Sequence, residues 1–228
     1  MLKFTPLLLA ILYALAMYHF SAWRTRRELD ARSTPLTDPG LLSVTDRMAR
    51  ALDLPTIKVN VYEIEPVNGL AAPDGRIFLT RGFLNRYKAG AVTAEELASV
   101  IAHELGHVAL GHARRRMIDF SGQNAIRTAL MMVLGRFLPG LGPMLANALT
   151  GLLAAHLSRS DEYEADAYAS ALLHKSGIGL GPQKSLFEKL DRLTRAGHAG
   201  PPAWLMSHPK TADRIAAIEA AEARWSRT

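Results

Sequence analysis

The polar and apolar positions change period several times along this chain, and each change marks an element. Residues 4–23 are predominantly apolar, with no Asp, Glu, Lys or Arg. Leu41 to Leu52 places Leu42, Met48, Ala49 and Leu52 on one side of a short helix. Ile57-Lys58-Val59-Asn60-Val61-Tyr62 alternates apolar and polar, the mark of a half-buried strand. Two further extended runs, Asn68–Ala72 and Arg76–Thr80, flank a Pro73-Asp74-Gly75 turn and predict a hairpin. From Arg81 onward the period is helical. Arg81–Lys88 closes at Gly90, Thr93–Gly111 follows, then Ser160–Lys175 with Gly177 as its stop, Gln183–Arg195, and Ala212–Trp225. The fold class predicted is α+β: mostly helical, with a small antiparallel sheet and one N-terminal membrane helix.

Twenty residues of helix reach about 30 Å, the thickness of a bilayer core. Lys3 precedes the first apolar run, Arg24, Arg26 and Arg27 follow it, and Tyr18, Phe20 and Trp23 sit where an interfacial belt would lie. Residues 1–23 are therefore expected to form a transmembrane anchor or uncleaved signal, with membrane lipid as a partner. A cleaved signal peptide is the rival, with Ala14-Leu15-Ala16 as the processing site. The flanking charges leave open which side of the membrane holds the rest. Residues 24–40 contain Arg32–Gly40 with two prolines and read as a linker, and 41–228 as the main domain. Between the helices, Asp119–Leu157 is apolar but broken by Arg136, Pro139, Gly140, Gly142 and Pro143. It reads as a helical hairpin that packs on the domain or, alternatively, dips into a membrane surface.

Composition narrows the chemistry. The chain has 228 residues and a net charge of +6, but its Lys and Arg are scattered with no interleaved aromatics, so nucleic acid is not an expected partner. With no cysteine, thiol catalysis, disulfides and Cys-based zinc sites are excluded.

What remains is the helix at 93–111. Thr93-x-x-Glu96 is a capping box that starts it. Leu97, Val100, Ile101, Leu105 and Val108 bury it, and in its middle stands His103-Glu104-Leu105-Gly106-His107. Imidazoles four residues apart lie about 40° apart around a helix, so His103 and His107 can grip one metal ion. Glu104 can then take a proton from an activated water. A catalytic zinc site needs a third protein ligand and an open position. The three-histidine pattern H-E-x-x-H-x-x-G-x-x-H is excluded, because Leu110 and Ala113 stand where it requires Gly and His. His112, five residues past His107, would point about 140° away on a continuing helix and reads as a capping or packing residue. Glu162-Tyr163-Glu164-Ala165-Asp166 offers the alternative: Glu162 as third ligand, and Asp166, one turn on, to hold the far nitrogen of a liganding histidine. Glu164 points away and is expected to be solvated or ion-paired.

HELGH, then SRSDEYEADAYA, then SHPKTADRI, together with the upstream NGLAAPDGRIFLTRG, resemble the HtpX-like and CaaX prenyl protease-type zinc metallopeptidases, members of the gluzincins. The resemblance covers residues 40–222. It implies a zincin-like domain, one Zn2+ per chain held by His103, His107 and Glu162, and Glu104 as general base. It also implies Asp166 behind the site and a substrate-facing edge strand at Asn68, Gly69, Leu70 and Ala71. His208, before Pro209, would stand close to the metal, either donating to an oxyanion or filling the open metal position. Arg214 would face the site and touch substrate, or else pair with an acid. The implied activity is peptide-bond hydrolysis on protein or peptide substrates, unfolded or misassembled, in quality control. A membrane-anchored assembly factor with a plugged site is the alternative.

Overall fold

The structure is a computed structural model and describes residues 5–72, 74–138, 140–196, 203–208 and 212–225. The elements in order are α1 (Thr5–Ala31), β1 (Ser33–Pro35), α2 (Pro39–Ala51), β2 (Val59–Tyr62), β3 (Gly69–Ala71), β4 (Ile77–Thr80), α3 (Arg81–Lys88), α4 (Ala94–Ala109), α5 (His112–Phe137), α6 (Gly142–Lys175), α7 (Gly181–Ala196), α8 (Ala203–Ser207) and α9 (Ala212–Trp225).

The sheet departs from expectation. Its order is β1-β2-β4-β3, and β2 runs parallel to β4, so it is mixed rather than antiparallel. The expected hairpin is present as β3 against β4, with Leu70 opposite Phe78. The extra strand β1 comes from the stretch read as a linker and pairs with β2. Pro35 costs nothing there, because it closes a three-residue strand at the sheet's edge.

α1 continues past Trp23 to Ala31. Its last turn is tied to the sheet: Leu29 packs with Tyr62, Ala72 and Phe78, and the Tyr62 hydroxyl donates to Glu28 at 2.8 Å. Among the described residues no helix is long and apolar enough to cross a membrane. Most side chains of the expected anchor at 4–23 lie outside the described residues.

The larger of two apolar clusters among the described residues lies between the sheet and the helices. Val59, Val61, Ile77 and Leu79 meet Leu97, Val100 and Ile101 of α4, with Leu41, Val44 and Met48 of α2 beside them. α4 is the central rod. The Thr93 hydroxyl accepts from Glu96 N at 3.2 Å, and Glu96 Oε2 accepts from Thr93 N at 2.8 Å, closing the capping box. The same carboxylate takes Lys189 Nζ at 2.9 Å and the Ser185 hydroxyl, binding α7 to the start of α4.

α6 crosses α4 at Gly106. A Cβ on Gly106 would lie 3.0 Å from both the Cα and the carbonyl oxygen of Ala165. The glycine within His103–His107 therefore sets how closely the two helices approach. α6 also corrects an expected boundary. Ser160 does not start a helix; α6 is continuous from Gly142, and Glu162 lies in its interior. The acids there are compensated by side chains rather than by a helix terminus. Gly106→Val should force α4 and α6 apart and cost about 1–3 kcal/mol, as overpacking typically does. Chemical denaturation checks this; an unchanged midpoint would show that the crossing is not tight.

Candidate metal centre

α4 brings His103 and His107 to one face, α6 brings Glu162, and the residue closing α8 brings His208. Ligand atoms of these four buried residues all lie within 4.8 Å of one another. His103 Nε2 is 3.1 Å from His107 Nε2 and 3.3 Å from His208 Nδ1. The Glu162 carboxylate lies 3.5 Å from each of His103 Nε2 and His107 Nε2, and 2.9 Å from His208 Nδ1.

The outer nitrogens, assigned from their partners, fix what the inner ones can do. His103 Nδ1 stands 2.9 Å from Asp166 Oδ1, a carboxylate, and so carries the proton. His112 Nε2 faces Glu164 Oε2 at 3.3 Å and also donates. The other nitrogen of His112 is then an acceptor, and His107 Nδ1 donates to it across 2.7 Å. In their neutral forms His103 and His107 thus turn bare lone pairs toward each other at 3.1 Å. That contact is repulsive unless a cation sits between them. The spacing suits one: ligands about 2.0–2.1 Å from a tetrahedral zinc lie roughly 3.3 Å apart. The residues present fit the ion.

Without an ion, a proton serves. Burial opposes charge on His103, but hydrogen bonds to Asp166 and Glu162 overcome it and raise its pKa to about 9. Burial also works against charge on Glu162 and Asp166. For Glu162 it is outweighed by His103 and His208, and for Asp166 by Arg214 and His103, so both carboxyls are held below the usual range.

Sequence reasoning left Arg214 open and misplaced or missed two other residues. Arg214 takes the acid-pairing alternative. It is 2% exposed, with its guanidinium clamped on Asp166 through Nε and through Nη2 at 2.9 Å. Its Nη1 lies 3.3 Å from Glu162, and the group stacks over Phe187. It neutralises the carboxylates that would otherwise be buried together. His112 is not turned away. α4 ends at Ala109, and Gly111, at φ 65°, reverses the backbone, so a helical wheel carried past Leu110 gives the wrong direction. The signal available was the glycine itself. Trp204 carried no pattern at all. It is buried on α8, edge-on to His103, and donates Nε1 to Glu104 Oε1 at 3.3 Å.

Glu104 stands apart from the donor cage. Its Oε1 meets Trp204 and, at 3.3 Å, His208 Nε2. β3 passes beside it: a Cβ on Gly69 would lie 3.8 Å from Glu104 Oε1. β3 is the last strand of the sheet, so Gly69, Leu70 and Ala71 form an edge next to the site. Asn68, just before it, donates its backbone N–H to the Thr80 hydroxyl at 2.9 Å, while its side-chain oxygen is buried without a partner among the described residues. Glu164 is ion-paired, with Arg115 at 2.9 Å.

The model of Peptidase family M48 matches residues 35–222. The chain belongs to this family. It is 29% identical over 174 residues to Metalloprotease LoiP of Escherichia coli (strain K12), covering 76% of this chain and 66% of LoiP. It is 27% identical over 260 residues to a Protease HtpX homolog of Salinibacter ruber, covering 93% and 87% of the two chains. It is 31% identical over 156 residues to the Putative beta-barrel assembly-enhancing protease of Vibrio cholerae, covering 65% of this chain but only 31% of that one. The M48 chains are zinc metallopeptidases, and among the described residues the buried His/His/Glu/His group could hold a metal ion.

Arg214→Ala would leave Asp166 and Glu162 buried with one cation fewer. Breaking a buried pair from one side costs about 3–5 kcal/mol. Urea unfolding of the variant should show a loss of that size; a loss below about 1 kcal/mol would mean the guanidinium is not the compensating charge.

Proposed function

We propose that this chain is a zinc-dependent metalloendopeptidase, anchored to a membrane through residues 4–23 and acting on unfolded or misassembled proteins. The observation that carries the reading is the convergence of His103, His107 and Glu162 around one point, with Glu104 beside that point but outside the cage. Those three residues would hold one zinc. When bound, the ion supplies Lewis acidity and lowers the pKa of a water towards about 7.

The chain's own residues do the rest. Asp166 and His112 keep His103 and His107 in the tautomers that point lone pairs inward, and Arg214 holds Asp166 in place. Glu104 takes the proton of the attacking water as its oxygen bonds to the scissile carbonyl carbon. It then returns that proton to the amide nitrogen as the C–N bond breaks. The indole N–H of Trp204 orients the carboxylate. An extended substrate would pair with the β3 edge at Gly69–Ala71, which sets its carbonyl beside Glu104.

His208 supports one of its two expected roles over the other. Its Nδ1 lies 3.3 Å from His103 Nε2 and 2.9 Å from Glu162 Oε2, so the ring stands against the position that a catalytic site keeps for water. That position supports the reading of a resting arrangement, from which His208 would withdraw for turnover. The same contact favours the second reading, an assembly factor with a plugged site, and the intact Glu104 counts against it. The name of the Vibrio cholerae relative, a putative beta-barrel assembly-enhancing protease, supports a task connected with protein assembly.

Glu104→Gln should retain zinc and lose turnover on an unfolded protein such as casein by about 10²-fold or more. Glu162→Ala should instead purify with zinc occupancy well below one per chain by metal analysis. Wild-type cleavage by the Glu104 variant would contradict the reading, and an inert wild-type protein with full zinc would favour the plugged one.

A further inference from the structure

The α5–α6 hairpin is built inside out for water. Where the two helices meet, the buried residues are small: Ala146 is fully enclosed, and Gly142 and Thr150 are buried. At the turn the backbones almost touch, since a Cβ on Gly142 would lie 2.5 Å from Gly135 N. The bulky apolar side chains point outward instead. Phe137 is 73% exposed, Met144 70%, Met132 68% and Leu152 67%.

These residues are patterned. On α5, Ile126, Leu130, Val133 and Phe137 follow the i, i+4, i+7, i+11 spacing of one helical stripe, and all but the half-buried Leu130 are exposed. Arg127 and Arg136 lie roughly 80–100° to either side of that stripe. On α6, Leu145, Leu149 and Leu152 make a second exposed stripe at i, i+4, i+7. From Phe120 to Ser160 there is no Asp or Glu, while Arg127, Arg136 and Arg159 are present. Small residues between helices and large apolar ones outside is how helices pack in lipid, where solvent does not penalise the outer face. A protein groove would be expected to offer acids or mixed charge to such a surface. A cation-only apolar surface complements anionic headgroups over acyl chains.

We infer that the α5–α6 hairpin is a membrane-surface element. It lies along the interface of an anionic leaflet with its apolar stripes toward the acyl chains and its arginines at the phosphates. It does not span: from Ile126 to Leu138 α5 covers only about 18 Å, against a hydrocarbon thickness of about 30 Å. The hairpin joins α4 to α6 and so connects His107 to Glu162 directly. This second lipid contact holds the metal centre at the bilayer surface, independently of residues 4–23.

The chain contains no cysteine, so a single Val133→Cys carries a unique environment-sensitive label. Asn85→Cys, on the exposed side of α3, is the reference. Each full-length labelled protein is floated with vesicles of phosphatidylcholine containing about one third phosphatidylglycerol. The label at 133 should become several-fold less accessible to aqueous iodide and be quenched by acyl-brominated lipid, while the label at 85 changes in neither respect. The readout is local, so attachment through residues 4–23 does not produce it, and it requires no peptidase activity. Equal iodide access at 133 and 85 in vesicle-bound protein would overturn the inference. So would a label at 133 already shielded before vesicles are added, because a second copy or another part of the chain would then cover the stripe.

Discussion

Two imidazole nitrogens stand 3.1 Å apart inside the protein, and in each neutral ring a partner behind it keeps the proton on the other nitrogen. Everything around them answers that contact. Taken alone it is unfavourable, and the surrounding carboxylates make it worse for any neutral filling of the gap and better for a cation. Asp166, Glu162 and Glu104 are all buried within a few residues' reach of it. Burying that much negative charge is tolerable only with positive charge among it. Arg214 supplies one unit permanently; the space between His103, His107 and Glu162 takes the rest as a proton or a metal ion.

The fold turns this requirement into geometry. The capping box fixes where α4 begins and therefore the phase at which His103 and His107 emerge. Gly106 lets α6 come within contact of the same turn, so Glu162 and Asp166 arrive from the other side. Gly111 folds the chain back so that His112 closes behind His107. α9 returns Arg214 to the core beneath Asp166, and α8 lays Trp204 along His103 and Glu104. Each of these positions is set by backbone constraint, and only the last few ångströms are left to side-chain rotamers. The centre is consequently part of the core, while the sheet edge at β3 and the α5–α6 hairpin form its surroundings.

Much of this was legible in the residues. The helical period, the capping box and the four-residue histidine spacing are local, and local signals survive without tertiary information. Glu162 and Asp166 could be paired with the histidines because an acidic pair one turn apart has one chemically sensible use beside them. The failures were at breaks and returns. The helix containing Glu162 was expected to start at Ser160, since a serine before two acids satisfies every N-cap preference, yet packing of α5 on α6 carries it through. β1 was hidden in a proline-containing stretch whose pairing with β2 is non-local. The parallel pairing of β2 with β4 cannot be seen from alternation at all. Arg214 was left open between substrate and an acid because sequence shows that a cation is near the site but not which side of it.

The central claim is that the buried cage exists to hold one zinc. X-ray absorption at the zinc edge of the full-length protein, loaded with one equivalent, tests it most directly. The account predicts a first shell of nitrogen and oxygen at about 2.0–2.1 Å, with the outer-shell scattering of at least two imidazoles. An octahedral shell of oxygens without imidazole scattering, or zinc that washes off on desalting, would contradict it.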